Sequence, residues 1–303
     1  MTAYESEKEK IFYESEGILN SLKSTSRKLL GNWHATFSFI ILLAIIFSAL
    51  FAPWLMNHDP NFGDLLERLQ PPSMMHLLGT DEQGRDMLTR IVYGGRIAMM
   101  VGGLSLLVGL FIGGSMGLVS GYFGGWVDHL IMRITDILLA FPYLLLVIAI
   151  VSMLGPSLMN AIIAIGVRMI PEFARLVRSV VLSIRSKEYV LATRAVGASH
   201  LRIIFRHVLP NCTPPMIVLS TLLMAGAILA ESTLSFLGLG TQPPDPSWGT
   251  MVSRGREYLI TYPHLSLFPG LAIVIVVYAL NVFGDWVRDV LDPHTEWTKP
   301  PQV

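Results

Sequence analysis

The sequence predicts an all-α integral membrane protein with about six transmembrane helices. Apolar residues make up 52% of the chain and charged residues 15%, a balance for which the bilayer, not water, is the expected solvent. Apolar runs close to the roughly 20 residues that span the hydrocarbon core recur along the chain. The Lys and Arg residues fall on one side of those runs and so orient them. The formal net charge is zero, which gives no global pull toward nucleic acid. A lone cysteine, Cys212, cannot form an internal disulfide, and no Cys/His group shows metal-ligand spacing, so no metal, redox chemistry or cofactor is expected.

The N-terminal segment, residues 1–35, begins MTAYESEKEKIFYESEG. It lacks the basic start and apolar core of a cleavable signal peptide, so the first span is expected to stay as an anchor. That span runs from about Phe37 to Leu55 and, with an external stretch, makes a unit over 36–96. The core, 97–290, contains the runs Ile97 to Val119, Ile137 to Leu154, Met216 to Ala230 with its flanks, and Leu265 to Phe283. A sixth run begins near Leu158 but stays apolar only to Val167, before Arg168, Pro171, Glu172 and Arg175. An unpaired charge in hydrocarbon costs several kcal/mol, so this span should be short, tilted or lined by protein and water. Glu172 lies four residues after Arg168 and three before Arg175, a spacing that lets the three neutralise one another on one helical face. Trp126 and Trp286 are expected as interfacial anchors.

Eight Lys or Arg residues lie between Arg168 and His207 against Glu172 and Glu188, which places that loop in the cytoplasm. Lys23, Arg27 and Lys28 agree. About six spans then return the tail, 291–303, to the cytoplasm, while 57–95 and about 235–264 form external caps rich in Gly, Pro and aromatics. Gly109, Gly113, Gly117 and Gly121 recur every fourth residue and make one helix face that another helix can approach closely. Packing within the subunit or against a partner is the expected role.

Residues 185–211, RSKEYVLATRAVGASHLRIIFRHVLPN, are basic, yet Val190, Leu191, Ala195, Leu201, Ile204, Phe205 and Val208 fall at helical spacings interrupted by Gly197. This pattern predicts two short amphipathic helices with a turn between them and a surface that needs a partner. Pro210 is expected to end the second helix. Glu231 follows about 15 apolar residues, where a carboxylate needs water, a donor or a ligand. It is a candidate for the outer end of a translocation path, with capping of the following turn as the other reading.

The same loop resembles that of importer-type ATP-binding-cassette permeases. Their EAA motif is matched by Ala192, Gly197, Leu209 and Pro210, although Leu191 stands at the motif's Glu position, Thr193 at its second Ala and His207 at its Ile. The peptide-importer version is followed closely. LGTDEQGRDMLTRIVYGGRIAM, GYFGGWVDHLIMRITDILLAFP, PEFARLVR, LSFLGLGTQPPDPSWG and FGDWVRDVLDP are similar, in the same order, to further signatures of the dipeptide and oligopeptide branch, second-type permease. The resemblance implies an importer-type permease fold in the plasma membrane with both termini cytoplasmic. Its implied partners are membrane lipid, a sister permease in a heterodimer, two ATPase subunits and an extracytoplasmic substrate-binding protein. It also implies that Glu188, Ala192, Arg194, Gly197, Ala198, Ser199, Leu209 and Pro210 couple to the ATPase.

The chain has no G-x-x-x-x-G-K-[ST] loop, so ATP is expected to be hydrolysed by separate subunits. Peptides are the expected substrate, and nickel chelates or glutathione the alternatives within the branch. An ion-coupled secondary transporter would need a mid-membrane ion site in two related halves. A membrane hydrolase would need a facing nucleophile and base.

Overall fold

The computed structural model describes residues 31–291, which are helical throughout their core, without strands among the described residues. Lys23, Arg27 and Lys28 and the tail beyond residue 291 lie outside the described residues. Helix α1 is Trp33–Leu50, N-capped by Asn32, whose Oδ1 accepts from the Ala35 N–H. Helix α2 is Met87–Phe123, which starts ten residues before the expected span because Asp86 caps it through the Thr89 N–H at 2.8 Å. Helices α3 (Gly125–Ala140) and α4 (Tyr143–Leu154) follow, then α5 (Leu158–Arg185) and the short α6 (Glu188–Ala195). Helix α7 is His200–Phe236, α8 is Trp248–Gly255 and α9 is His264–Leu291.

Four of these helices, α1, α2, α7 and α9, are long and apolar enough to cross a membrane, and α3 with α4 makes a fifth if counted as one broken span. The run expected as one span from Ile137 to Leu154 is bent by 94° between α3 and α4. Phe141 is extended ahead of Pro142, as the proline ring disfavours the helical conformation in the residue before it.

Helix α5 reaches 28 residues despite its charges and Pro171. Its apolar face, including Ile165, Phe173, Val177 and Val181, is fully buried by α2, α4 and α7. Protein therefore covers this face, while Met159 and Ile163 on the other side stay exposed. The charges are paired, though not all as expected. Arg168 donates to Glu172 at 2.7 Å, but Arg175 donates to Asp136 of α3 at 2.7 Å, and Arg178 grips both oxygens of Asp128 at 2.5 and 2.7 Å. Arg175 points away from Glu172 because α3 brings a carboxylate to its side of the helix.

The glycine stripe faces α5. A Cβ on Gly109 would sit 2.5 Å from the Met169 Cβ, one on Gly113 2.4 Å from the Ile170 carbonyl, one on Gly117 2.5 Å from the Ala174 carbonyl, and one on Gly121 2.8 Å from the Val181 Cβ. Backbones this close gain dispersion over the full length of the pair without needing a polar contact.

Pro210 does not end the second short helix. Residues Ile204–Val208 form a π-turn within α7, and the Leu209 N–H reaches back to the Ile204 carbonyl. The wider turn makes room for a residue with no N–H, so the helix continues through Pro210, Pro214 and Pro215.

Candidate functional site

At one end of the bundle, α6, the turn 196–199 and the start of α7 form a ledge. Helix α6 stops because Gly197 adopts a φ of +86°, the left-handed conformation open to glycine. The Gly197 N–H bonds the Arg194 carbonyl and the Ala198 N–H bonds the Thr193 carbonyl, which closes the helix end. A Cβ on Gly197 would meet nothing within 4 Å in this subunit, so backbone conformation, not crowding inside the chain, calls for glycine. Ser199 then caps α7, accepting from the Arg202 N–H.

The ledge has two faces. Val190, Ile203, Ile204 and Val208 are buried against Tyr122 of α2 and Val177, Val181 and Ile184 of α5. Tyr189, Leu191, Val196, Leu201 and Phe205 are exposed, Val196 at 89%. Large apolar side chains left exposed in this number suit an interaction site. A cavity of about 450 Å³ lined by Ala192, Thr193, Val196, Gly197, Ala198 and Arg202 opens on the ledge. Glu188 stands in the first turn of α6, where its charge suits the helix dipole. Leu209 and Pro210 follow the π-turn, further along α7.

Contacts that sequence spacing did not reveal hold the ledge to the bundle. The Arg185 Nη1 donates to the Gly121 carbonyl at 2.9 Å, the Tyr122 hydroxyl lies 2.9 Å from His200 Nδ1, and the Arg194 guanidinium sits over the Tyr122 ring. Arg194 is thus stacked on the subunit's own α2.

The opposite end of the bundle is capped by two signature segments packed on each other. In LGTDEQGRD, Asp81 Oδ1 accepts from the Gln83 and Arg85 N–H groups at 2.9 and 3.0 Å, while Arg85 Nε donates to Oδ2 at 2.7 Å. Gly84, at φ +72°, would place a Cβ only 1.8 Å from the Asp64 carbonyl. The Trp248 Nε1 donates to the Ile91 carbonyl at 2.8 Å, and its ring lies against Gly94. Arg254 bridges to Glu82 at 3.1 Å.

His76 is held between Asp86 at 3.0 Å and Glu67 at 3.2 Å. Burial pushes the pKa of this imidazole down, but hydrogen bonding and charge from the two carboxylates outweigh that effect and leave it raised.

Glu231 lies beneath this cap and is 1% exposed. Its Oε1 accepts from the hydroxyls of Ser235 at 2.6 Å, Ser247 at 2.9 Å and Thr241 at 3.1 Å. The carboxylate joins α7 to the segment leading into α8, and two of its donors, Ser235 and Thr241, line a small cavity of about 150 Å³. Three side-chain hydroxyls satisfy it.

Comparison with known proteins matches residues 88–297 to the family model described as binding-protein-dependent transport system inner membrane component. Residues 22–72 match the N-terminal transmembrane domain of oligopeptide transport permease C. The chain is 48% identical, over 88% of its length and 88% of the relative's, to the dipeptide transport system permease protein DppC of Alkalihalophilus pseudofirmus. It is 44% identical to the di/tripeptide transport system permease protein DppC of Pseudomonas aeruginosa, over 90% of this chain and 92% of that one. It is 41% identical to the glutathione transport system permease protein GsiD of Pectobacterium atrosepticum, over 88% and 89%. An inward-facing structure of the MetNI methionine ABC transporter shares the fold, with a TM-score of 0.55 and 23% identity over 67% of this chain and 97% of that one.

Proposed function

The chain belongs to the family of binding-protein-dependent transport system inner membrane components, and from that premise we propose that it forms half of the pathway by which an ATP-driven importer takes up di- and oligopeptides. It is a multi-pass inner-membrane transport subunit; ATP hydrolysis belongs to a separate subunit. The proposed assembly pairs it with a sister permease, two ATPase subunits and an extracytoplasmic binding protein, with its own termini in the cytoplasm. The relatives named for dipeptide transport support the substrate class.

The observation that carries the coupling role is the two-faced ledge. Glu188, Ala192, Arg194, Gly197, Ala198 and Ser199 lie on or beside α6, which docks on the ATPase. Val190, Ile203 and Val208 lock the same element onto α5. A packed interior transmits displacement because it does not compress. Closure of the ATPase pair therefore shifts the ledge, and α5 and α2, zipped together by the glycine stripe, tilt as one body between inward-open and outward-open arrangements. A cavity of about 680 Å³ between α7 and α9, lined in part by Pro214, Leu222, Gly284 and Asp285, is the side we assign to the sister subunit and the path. The glycine stripe is structural, and Leu209 and Pro210 act through the π-turn that sets the angle of α7.

Uptake by vesicles holding the assembled transporter tests this reading. ATP should drive accumulation of a labelled dipeptide in the presence of the binding protein, and glutathione should compete poorly. Preferential glutathione uptake would move the chain to the other substrate class that a relative names. Uptake driven by an ion gradient without ATP would overturn the reading.

A further inference from the structure

We propose that His58, His76 and Asp86 form a binding site for a single zinc-class divalent cation on the cap opposite the coupling ledge. The three residues are far apart in the sequence, 18 and then 10 positions, and no metal-ligand spacing marks them. The fold brings one ligand atom from each to within 4.8 Å of the others.

Each ligand has its own means of placement. Asp86 is the N-cap of α2: its Oδ2 accepts from the Thr89 N–H at 2.8 Å and the Thr89 hydroxyl at 2.7 Å, which leaves Oδ1 turned toward His76. His76 offers Nδ1 on that side, while its Nε2 is 3.2 Å from Glu67 Oε2. A carboxylate on the distal nitrogen fixes the ring and strengthens the other nitrogen as a ligand, the usual support behind a metal-bound histidine. His58 is brought alongside by Arg90, whose Nη1 donates to the carbonyl of Pro60 at 2.5 Å. The two imidazole rings are 5.0 Å apart.

The distances fit a cation. His76 Nδ1 and Asp86 Oδ1 are 3.0 Å apart, a hydrogen bond whose proton the cation would displace, and a small widening gives the roughly 3.3 Å between two ligands of a tetrahedral zinc with bonds of about 2.0–2.1 Å. His58 is exposed, and its ligand atom already lies within 4.8 Å of the other two. The site opens into a cavity of about 630 Å³, which gives a metal access and leaves space for water as the fourth ligand. Two imidazoles and one carboxylate favour zinc and its d-block neighbours over calcium or magnesium, which prefer all-oxygen sets. The bound ion would tie residues 57–76 to the first turn of α2, the part of the cap nearest the bundle.

Titrating zinc into the full chain, purified with its partner subunits on a tag free of histidine and reconstituted in lipid, tests the site. The wild-type chain should bind one zinc ion with excess magnesium present. His58→Ala, at an exposed position, should weaken binding about tenfold or more, and Glu67→Gln, which removes only the support for His76, should do so by a similar factor. The absence of saturable binding, displacement by magnesium, or a zinc affinity that His58→Ala leaves unchanged would each overturn the assignment. Should His58→Ala alter the melting temperature without added metal, Glu67→Gln alone decides the matter on the same zinc titration, and an unchanged affinity there overturns it.

Discussion

The Tyr122 hydroxyl lies 2.9 Å from His200 Nδ1, joining the last turn of α2 to the first residue of α7 across 78 positions of sequence. The Arg194 guanidinium lies over the same ring, 5.7 Å from its centroid. One aromatic side chain thus touches both α6 and the first residue of α7.

Removing the hydroxyl tests whether this contact transmits force. A neutral hydrogen bond contributes about 1 kcal/mol net, so Tyr122→Phe should lower the peptide taken up per ATP hydrolysed by no more than about fivefold, with assembly intact. Tyr122→Ala also removes the ring beneath Arg194 and should cost more. Vesicle uptake measured alongside phosphate release gives the ratio. An unchanged ratio in Tyr122→Ala would assign coupling to the buried Val190 and Ile203 contacts alone.

How far the sequence could be read depended on the kind of signal. Long apolar runs and the every-fourth-residue glycines carry their own periodicity, so α1, α2, α7, α9 and the face toward α5 were legible. Helix α5 was legible only as a damaged span, because Arg175 and Arg178 are balanced by Asp136 and Asp128 on another helix. The continuity through Pro210 was hidden, since a π-turn leaves no mark in composition. Glu231 stood out as a carboxylate after an apolar run, but the three hydroxyls that hold it come partly from residues 10 and 16 positions further on. His58 and His76 gave no signal until folding placed them side by side.

Gly197 distinguishes conformation from close approach. Its φ of +86° costs an ordinary residue about 1–2 kcal/mol, less for asparagine and more for a β-branched residue. With the Cβ direction open within the subunit, Gly197→Asn should keep most of the uptake, whereas Gly197→Val should lose most of it and still co-purify with the sister subunit. If both variants lose uptake and the ATPase response equally, the ATPase surface must approach the backbone at this point.

The glycine stripe predicts a sharp positional contrast. A Cβ at Gly113 would be 2.4 Å from a backbone carbonyl that cannot swing aside, while one at Gly103 meets nothing within 4 Å. Overpacking of this kind costs typically 1–3 kcal/mol. Gly113→Val should therefore lower the melting temperature and the monodisperse fraction in detergent, and Gly103→Val should leave both near wild type. Similar losses at the two positions would remove the packing role from the stripe.

Orientation is open to direct labelling. Ser199 and Gln83 are both exposed, at opposite ends of the bundle, and Cys212 is buried. A cysteine at Ser199 should react with an impermeant thiol reagent only in inverted vesicles, and one at Gln83 only in intact cells. The reverse pattern would invert the topology and put the ledge out of reach of a cytoplasmic ATPase.

Glu231→Gln asks whether the buried carboxylate selects substrate or holds the cap. Its Oε1 collects three hydroxyl donors, and hydrogen bonds to an ionised acceptor contribute about 1.5–3 kcal/mol each against about 1 for neutral ones. The amide preserves shape and one acceptor oxygen but loses the charge that strengthens all three bonds. The variant should therefore melt earlier, and uptake of cationic and neutral peptides should fall by the same factor, because the side chain is buried and held by its three donors. Ser247→Ala, which removes one donor from the other side of the contact, should shift stability in the same direction and by less. A stable Glu231→Gln transporter that loses cationic peptides selectively would place this carboxylate on the translocation path after all.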